Sequence, residues 1–157
     1  MLYSMHSMEM TTDRIKELRE MTGVSIMQCK KALEEAGGDL EKAVVILKKH
    51  SAVSAEKKSE RSLAAGTIGT YVHDGAIGAM TVLSCETDFV AKNPEFAAVA
   101  REIAMQIAAM DPENADDLLD QPFIKDETKT VRDLLNEATQ KFGERVEVSR
   151  MARLSAR

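Results

Sequence analysis

The sequence has few of the residues from which disulfide frameworks and metal sites are built. Its two cysteines, Cys29 and Cys85, lie far apart and outside any C-x-x-C pattern, so we expect a reducing, cytosolic setting without disulfides. The three histidines, His6, His50 and His73, are scattered and predict no metal site. No apolar run approaches the ~20 residues that a membrane-spanning helix needs, so we expect no membrane partner.

Catalytic patterns are missing as well. The sequence has no G-x-x-x-x-G-K-[ST] loop, which argues against a P-loop nucleotide hydrolase. Cys85 and Glu86 precede Asp88 and could act as a nucleophile with acids, but no histidine is paired with Cys85 in the sequence. We therefore expect a protein that is not an enzyme and has no cofactor, with Cys85 as a small buried apolar residue. The alternative of a cysteine-dependent enzyme predicts loss of function in Cys85→Ser.

The composition is typical of a folded domain. Of 157 residues, 44% are hydrophobic and 30% are charged, which argues against general disorder. The net charge of −5 argues against a protein whose main role is to grip phosphate backbones. We expect a protein partner and no direct contact with nucleic acid.

Residues 11–50 predict a domain of three short helices, with Gly23 ending the first and Gly37-Gly38 ending the second. Residues 1–10 ahead of it include no lysine or arginine, and we expect a disordered tail there, not a targeting segment. The polar stretch 51–62 predicts a linker or a loosely attached helix, and so places the domain boundary. Ile26 and Met27 begin the second helix and form either an exposed docking pair or, for Met27, part of the three-helix core.

Residues 63–157 predict an α+β core domain. Strands at 67–72 and 77–85, joined by an Asp-Gly turn, form a hairpin. Helices are expected over 94–110 and from residue 130 to 142, and a third strand over 144–154. The expected fold class is α+β, a three-stranded antiparallel sheet packed with helices after a three-helix domain. Because the sheet edges are uncovered, we expect a homodimer in which sheets or edges of two protomers meet. The residues expected on one side of the third strand are Val146, Val148, Arg150, Ala152 and Leu154.

The stretch from Thr87 to Asn93 lies between the predicted hairpin and the helix that follows it. Asn93 is the expected N-cap of that helix, and Pro94 is its expected first residue. Asp88 and Phe89 are thereby placed on a strand-to-helix loop. A phenylalanine on a surface loop is either folded back as a lid on its own core or held outward as an anchor for a partner.

This stretch, TDFVAKN, resembles the signature loop of the elongation factor Ts family. LREMTGVSIMQCKKALEEAGGDLEKAV resembles the N-terminal motif of the same family, whose N-terminal domain is of the ubiquitin-associated (UBA-like) type. IAMQIAAMDP and QPFIKDETKTVRDLL resemble segments from the later part of longer members, which carry a duplicated core and a helical protrusion. The resemblance covers roughly residues 11–157 and indicates a short, single-core form. Gln106 departs from a histidine that the family often has at this position.

The resemblance implies a guanine-nucleotide exchange factor for the GTPase elongation factor Tu. Phe89 would act as a wedge between switch-region helices, and Asp88 would perturb polar contacts near the Mg²⁺ site, which together promote GDP release. Ile26 and Met27 would dock the N-terminal domain on the same GTPase. The alternative is a non-catalytic, UBA-like protein- or peptide-binding module on a dimerising domain, in which Phe89 has no role. The residues expected to touch the partner are Thr87, Asp88, Phe89, Val90, Ala91, Lys92 and Asn93, called the exchange loop below, together with Ile26 and Met27.

Overall fold

The computed structural model describes residues 12–157, so the tail expected at 1–10 lies outside the described residues. The described chain is α+β, with seven helices, a three-stranded antiparallel sheet and a two-stranded hairpin. The helices are α1 Thr12–Thr22, α2 Ile26–Glu35, α3 Leu40–Lys58, α4 Asp88–Ala91, α5 Pro94–Met110, α6 Ala115–Asp120 and α7 Val131–Phe142. The strands are β1 Ala65–His73, β2 Ile77–Cys85, β3 Pro122–Phe123, β4 Asp126–Thr130 and β5 Glu147–Ser155.

The first three helices enclose an apolar cluster of their own. Leu18, Cys29 and Leu33 have no exposed surface, and Leu47 is almost as deeply buried. The side chain of Ser25 caps α2 by accepting a hydrogen bond from the backbone N–H of Gln28. The predicted three-helix arrangement is therefore confirmed, with short glycine-containing turns between the helices.

Helix α3 is longer than expected and ties the first three helices to the rest of the chain. The segment predicted as a linker or a loosely attached helix continues α3 as far as Lys58. Ser51 is buried on the face of α3 that packs against α7. Its hydroxyl contacts the carbonyl oxygen of Leu47 at 2.9 Å and the side-chain oxygen of Gln140. Ser51 can be buried because its hydroxyl has hydrogen-bond partners within this contact. A pattern of polar residues in the sequence does not reveal such burial.

The main sheet has the order β1-β2-β5, with β2 in the centre. The predicted Asp-Gly turn is confirmed, because Asp74 and Gly75 both adopt the left-handed backbone conformation, with φ of 48° and 65°. Helix α5 crosses the inner face of the sheet so closely that a Cβ added to Gly69 would collide with the carbonyl oxygen of Ala100. Glycine at this position is what lets the helix and the sheet share one core. The largest fully buried side chains of that core include Phe96, Leu83, Ile103 and Ile107.

The third strand is present, but the predicted alternation along it is wrong in its second half. Val82 pairs with Arg150 and Leu83 pairs with Val148, so Ser149 is an extra residue in a β-bulge. The bulge exchanges the two faces, because neighbouring residues on a strand point to opposite sides. Val146 and Val148 are buried, whereas Arg150, Ala152 and Leu154 are exposed on the outer face. Met151 and Arg153 take the inner positions instead.

The connection expected to be extended at 121–124 contains strand β3, which pairs with β4. Gln106 on α5 stabilises this hairpin from beneath and is completely buried. Its amide nitrogen donates to the side-chain oxygen of Gln121 at 3.2 Å and to the carbonyl oxygen of Pro122 at 3.0 Å. Its amide oxygen accepts from the backbone N–H of Ile124 at 2.9 Å. Gln106 thus serves the interior of its own chain and presents no surface to a partner.

None of the helices in residues 12–157 combines the length and the apolar character that crossing a membrane would require.

The close approach of α5 to the sheet predicts a large stability difference between two glycines. Gly69→Ala should lower the free energy of unfolding by about 1–3 kcal/mol, because the new Cβ meets backbone atoms that cannot move aside. Gly78→Ala is the matched control, since its nearest neighbour would be a methyl carbon of Val72 at 3.8 Å. Denaturant unfolding of both variants measures the difference, and equal stability would contradict the packing described here.

Candidate functional site

The exchange loop, expected as a strand-to-helix loop, contains the one-turn helix α4. Thr87 caps α4, and its hydroxyl accepts a hydrogen bond from the backbone N–H of Val90. The N–H groups of Ala91 and Lys92 donate to the carbonyl oxygens of Thr87 and Asp88, at 3.1 and 3.0 Å. The threonine cap and these two bonds are enough to close one helical turn between β2 and α5.

The expected start of α5 is confirmed. The side chain of Asn93 accepts a hydrogen bond from the backbone N–H of Glu95 at 2.9 Å, and Pro94 is the first helical residue. Proline suits this position because a first-turn N–H has no partner within the helix. The exchange loop is therefore bounded by an N-cap at each end.

Phe89 points away from the protein, with 85% of its surface exposed. Its neighbours Val90 and Ala91 are 4% and 9% exposed and belong to the core beneath α5. Successive residues on a helix point in different directions, so burying these two turns the ring outward. This geometry excludes the lid interpretation, in which Phe89 covers its own core. Asp88 and Lys92, on either side of this turn, are also exposed.

Glu144 supports the exchange loop, a contact that the sequence patterns did not reveal. It follows the C-cap of α7, and its carboxylate reaches the backbone N–H groups of Glu86 and Thr87, each at 3.0 Å. Its other oxygen accepts from the hydroxyl of Thr87 at 2.6 Å. In return, the carboxylate of Glu86 accepts from the backbone N–H of Arg145 at 2.7 Å. No local motif identifies this pairing, because the residues are separated by more than fifty positions in the chain.

Cys85 is the last residue of β2, directly before Glu86, and is completely buried. Its thiol donates to the carbonyl oxygen of Thr87 at 3.3 Å. Burial raises the pKa of this thiol, and the nearby carboxylates of Glu144 and Asp88 raise it further. A raised pKa keeps the sulfur protonated near neutral pH, which is unfavourable for a nucleophile. The packing matches the expectation of a small buried apolar residue.

Ile26 and Met27 are 54% and 67% exposed at the start of α2, so Met27 is not part of the three-helix core. Met27 lines a shallow cleft between α2 and the C-terminal end of α7. The same end of α7 continues into Glu144, which holds the exchange loop. An ion pair of 3.2 Å between Lys141 and Glu95 links α7 to the first turn of α5. The C-terminal end of α7 therefore borders the cleft that Met27 lines, and Glu144, which follows this helix, contacts the exchange loop.

The outer face of the main sheet carries exposed apolar side chains and is uncovered by any element in residues 12–157. Ile68 and Val72 on β1, Met80 on β2 and Leu154 on β5 are each half or more exposed. Val72 and Leu154 flank Gly78 in the same row of the sheet. Among the described residues, no group of three or more His, Cys, Asp or Glu side chains could hold a metal ion.

These features define an α+β protein that exposes an aromatic side chain on the turn after β2 and an apolar pair at the start of α2. The family model described as "Elongation factor TS" matches residues 86–157. Elongation factor Ts of Thermotoga petrophila is 42% identical over 190 aligned positions, covering 93% of this chain and 96% of that protein. Those of Thermodesulfovibrio yellowstonii and Desulforamulus reducens are each 39% identical, covering 93% and 92% of this chain and 96% and 88% of theirs. The chain belongs to the elongation factor Ts family, a family of translation elongation factors.

The chain is shorter than the relatives with which it aligns. The 190 aligned positions exceed the 157 residues of this chain, so the relatives carry residues that it lacks. The described fold contains one three-stranded sheet, consistent with a single core.

Proposed function

We propose that this protein is a guanine-nucleotide exchange factor for the GTPase elongation factor Tu. The observation that carries the proposal is Phe89, a large aromatic side chain held in solvent by a turn whose other apolar residues are buried. Exposing a ring of this size has no benefit to the chain's own stability, so a partner that covers it accounts for its position. Membership of the elongation factor Ts family supports Tu as that partner.

The proposed mechanism is a binding linkage and involves no bond chemistry. A protein that binds nucleotide-free Tu more tightly than nucleotide-bound Tu must weaken the binding of nucleotide to Tu by the same ratio. A 10⁴-fold weakening needs only about 5.5 kcal/mol of coupling. An inserted aromatic anchor contributes ~2–4 kcal/mol at a hot spot, and a second contact supplies the rest.

The two exposed residues at the tip have different roles in this proposal. Phe89 is the wedge that enters between switch-region helices of the GTPase. Asp88 brings a negative charge to the same place and disturbs the polar contacts around the Mg²⁺ site from outside. Thr87, Val90 and Ala91 hold the turn in place, Asn93 caps α5, and Lys92 shapes the outer edge of the loop.

The second contact is assigned to the N-terminal helices, which we propose are UBA-like. Ile26 and Met27 present apolar surface at the start of α2, and methionine adapts well to an irregular partner surface. Their proximity to the end of α7 supports docking on the same GTPase domain that Phe89 enters. We further propose that the protein acts in the cytoplasm, is not an enzyme, needs no cofactor and makes no direct contact with nucleic acid.

We also propose that two protomers pair through the outer face of the main sheet. Ile68, Val72, Met80 and Leu154 are exposed apolar side chains on one face that spans all three strands. Both outer strands also leave backbone groups without a sheet partner in the described chain, and unpaired edges favour association with another copy.

The wedge role predicts that Phe89→Ala slows the release of fluorescent GDP from Tu by at least about tenfold, the loss of ~1.4 kcal/mol or more of coupling. The unfolding midpoint should not change, because the ring makes little contact with its own chain. Met110→Ala is the control, an apolar truncation at a residue that is 46% exposed. Stopped-flow kinetics measure the release, and full exchange by the Phe89 variant would remove the wedge from the mechanism.

The docking role predicts a different kinetic effect for the N-terminal pair. Replacing Ile26 and Met27 together by serine should raise the concentration needed for half-maximal exchange by about tenfold, because docking energy is lost at a contact remote from the nucleotide. The maximal rate should stay near that of the unaltered protein. Val45→Ser, at a residue that is 52% exposed on α3, is the control. An unaltered concentration dependence in the double variant would contradict docking through this pair.

The pairing of sheets predicts that Met80→Lys produces monomers, because a charge is then placed in the centre of the apolar face. Val53→Lys adds the same charge at a residue of similar exposure on α3 and should leave the association state unchanged. Light scattering after size exclusion reports the mass of each variant. A monomeric unaltered protein, or a dimeric Met80 variant, would rule out this interface.

A further inference from the structure

The contacts of Glu144 are concentrated on the residue that starts the exchange loop. Glu144 Oε2 accepts from the backbone N–H groups of Glu86 and Thr87, and Oε1 accepts from the hydroxyl of Thr87. One carboxylate therefore receives three hydrogen bonds from two successive residues. Hydrogen bonds to a charged acceptor are roughly twice as strong as those between neutral groups.

These contacts determine how Thr87 caps α4. A hydroxyl has one hydrogen and two lone pairs, so donating to Glu144 leaves the lone pairs free for other donors. The backbone N–H of Val90 uses one of them, at 3.4 Å. Glu144 therefore orients the hydroxyl so that its acceptor side faces the helix. Without that carboxylate, the hydroxyl of Thr87 is free to rotate away from Val90.

A single helical turn needs support of this kind from outside. Isolated short helices are unstable in water because the first turn orders several residues for a single hydrogen bond. Helix α4 spans only Asp88 to Ala91, so its own bonds cannot hold it. Val90 and Ala91 fix one side of it in the core. Its start is fixed by Glu144, with Glu86 and Arg145 adding a bond in the opposite direction.

The backbone before Glu144 explains why this carboxylate reaches the loop. Gly143 ends α7 in the left-handed conformation, with φ of 73°. That conformation reverses the chain direction after the helix, and glycine adopts it without strain. The next residue is then placed beside the end of β2.

We propose that Glu144 is a positioning residue for nucleotide exchange: it holds Thr87 and the start of α4 so that Phe89 stays in the outward, insertion-ready orientation. This inference rests on the proposed function of the exchange loop. The inference adds Glu144, which follows α7 and is remote in sequence from the loop, to the residues that nucleotide exchange requires. Loss of the carboxylate reduces the fraction of molecules with Phe89 in place, and the apparent dissociation constant rises in inverse proportion to that fraction.

A fluorescent reporter tests the positioning directly. The sequence has no tryptophan, so Phe89→Trp introduces a unique indole at the exposed tip. Adding Glu144→Gln to this background should increase the amplitude of nanosecond motion in time-resolved anisotropy. Glutamine has the same shape but no charge, and when its amide oxygen accepts from the two backbone N–H groups its N–H₂ faces the hydroxyl of Thr87 as a donor, where the carboxylate accepted. Glu127→Gln, an equal change of charge at an exposed position on β4, should leave the anisotropy unchanged.

Exchange kinetics with Phe89 intact provide the second readout. Glu144→Gln should raise the concentration for half-maximal GDP release from Tu by about tenfold and leave the maximal rate near that of the unaltered protein. Thr87→Val, which removes the hydroxyl, should act in the same direction. Because both residues work through one contact, the double variant should lose less than the product of the two single effects. This cycle stays informative if one variant lowers the melting temperature.

The outcomes separate this inference from the function on which it rests. If Phe89→Ala impairs exchange while Glu144→Gln behaves like Glu127→Gln in both assays, the positioning role is overturned and the exchange function stands. If Glu144→Gln loosens the indole but neither it nor Phe89→Ala alters GDP release, the positioning contact is supported and the exchange function is wrong. Equal losses from Glu144→Gln and Glu127→Gln would also overturn the positioning role.

Discussion

The exposed position of Phe89 depends on the burial of its neighbours Val90 and Ala91. A one-turn helix with two residues in the core has little freedom to rotate, so the residue before them must face solvent. In the role proposed for Glu144, the three bonds that it accepts from the start of this turn restrict the remaining freedom. An aromatic side chain in water is thereby kept at a defined place on the surface, although it gains no burial energy there. Pre-organisation of this kind lowers the entropic cost of binding a partner.

Helix α7 lies between the N-terminal helices and the exchange loop and has contacts that lead to both. Its side chain Gln140 meets Ser51 of α3, and its C-terminal end borders the cleft that Met27 lines. The residue after its C-cap glycine holds the start of α4. One helix therefore sets the relation between the N-terminal helices and the exchange loop. This arrangement suits the proposed function, in which two contact sites bind one partner at the same time.

Much of the secondary structure follows from local patterns. The start of α5 was predictable because Asn93 and Pro94 form a local capping signal. The hairpin was predictable because its Asp-Gly turn needs two residues that tolerate positive φ. The predicted face of the residues in the second half of β5 was wrong because of the bulge at Ser149. This bulge depends on pairing with β2, which lies more than sixty residues earlier in the chain. The choice between a linker and a helix after residue 50 stayed open because the burial of Ser51 against α7 is not indicated by any pattern of polar residues.

The sequence by itself determined the α+β class, the capping residues, and the family likeness of the stretch that contains Phe89. These depend on spacing, turn chemistry and local hydrogen bonds, which act over a few residues. Only the tertiary structure decided that the Phe89 ring is exposed, that Gln106 is internal, and that Glu144 contacts Thr87. Each of these depends on which distant segments meet in the folded chain. Burial and long-range hydrogen bonding are properties of that packing, and no local sequence signal specifies them.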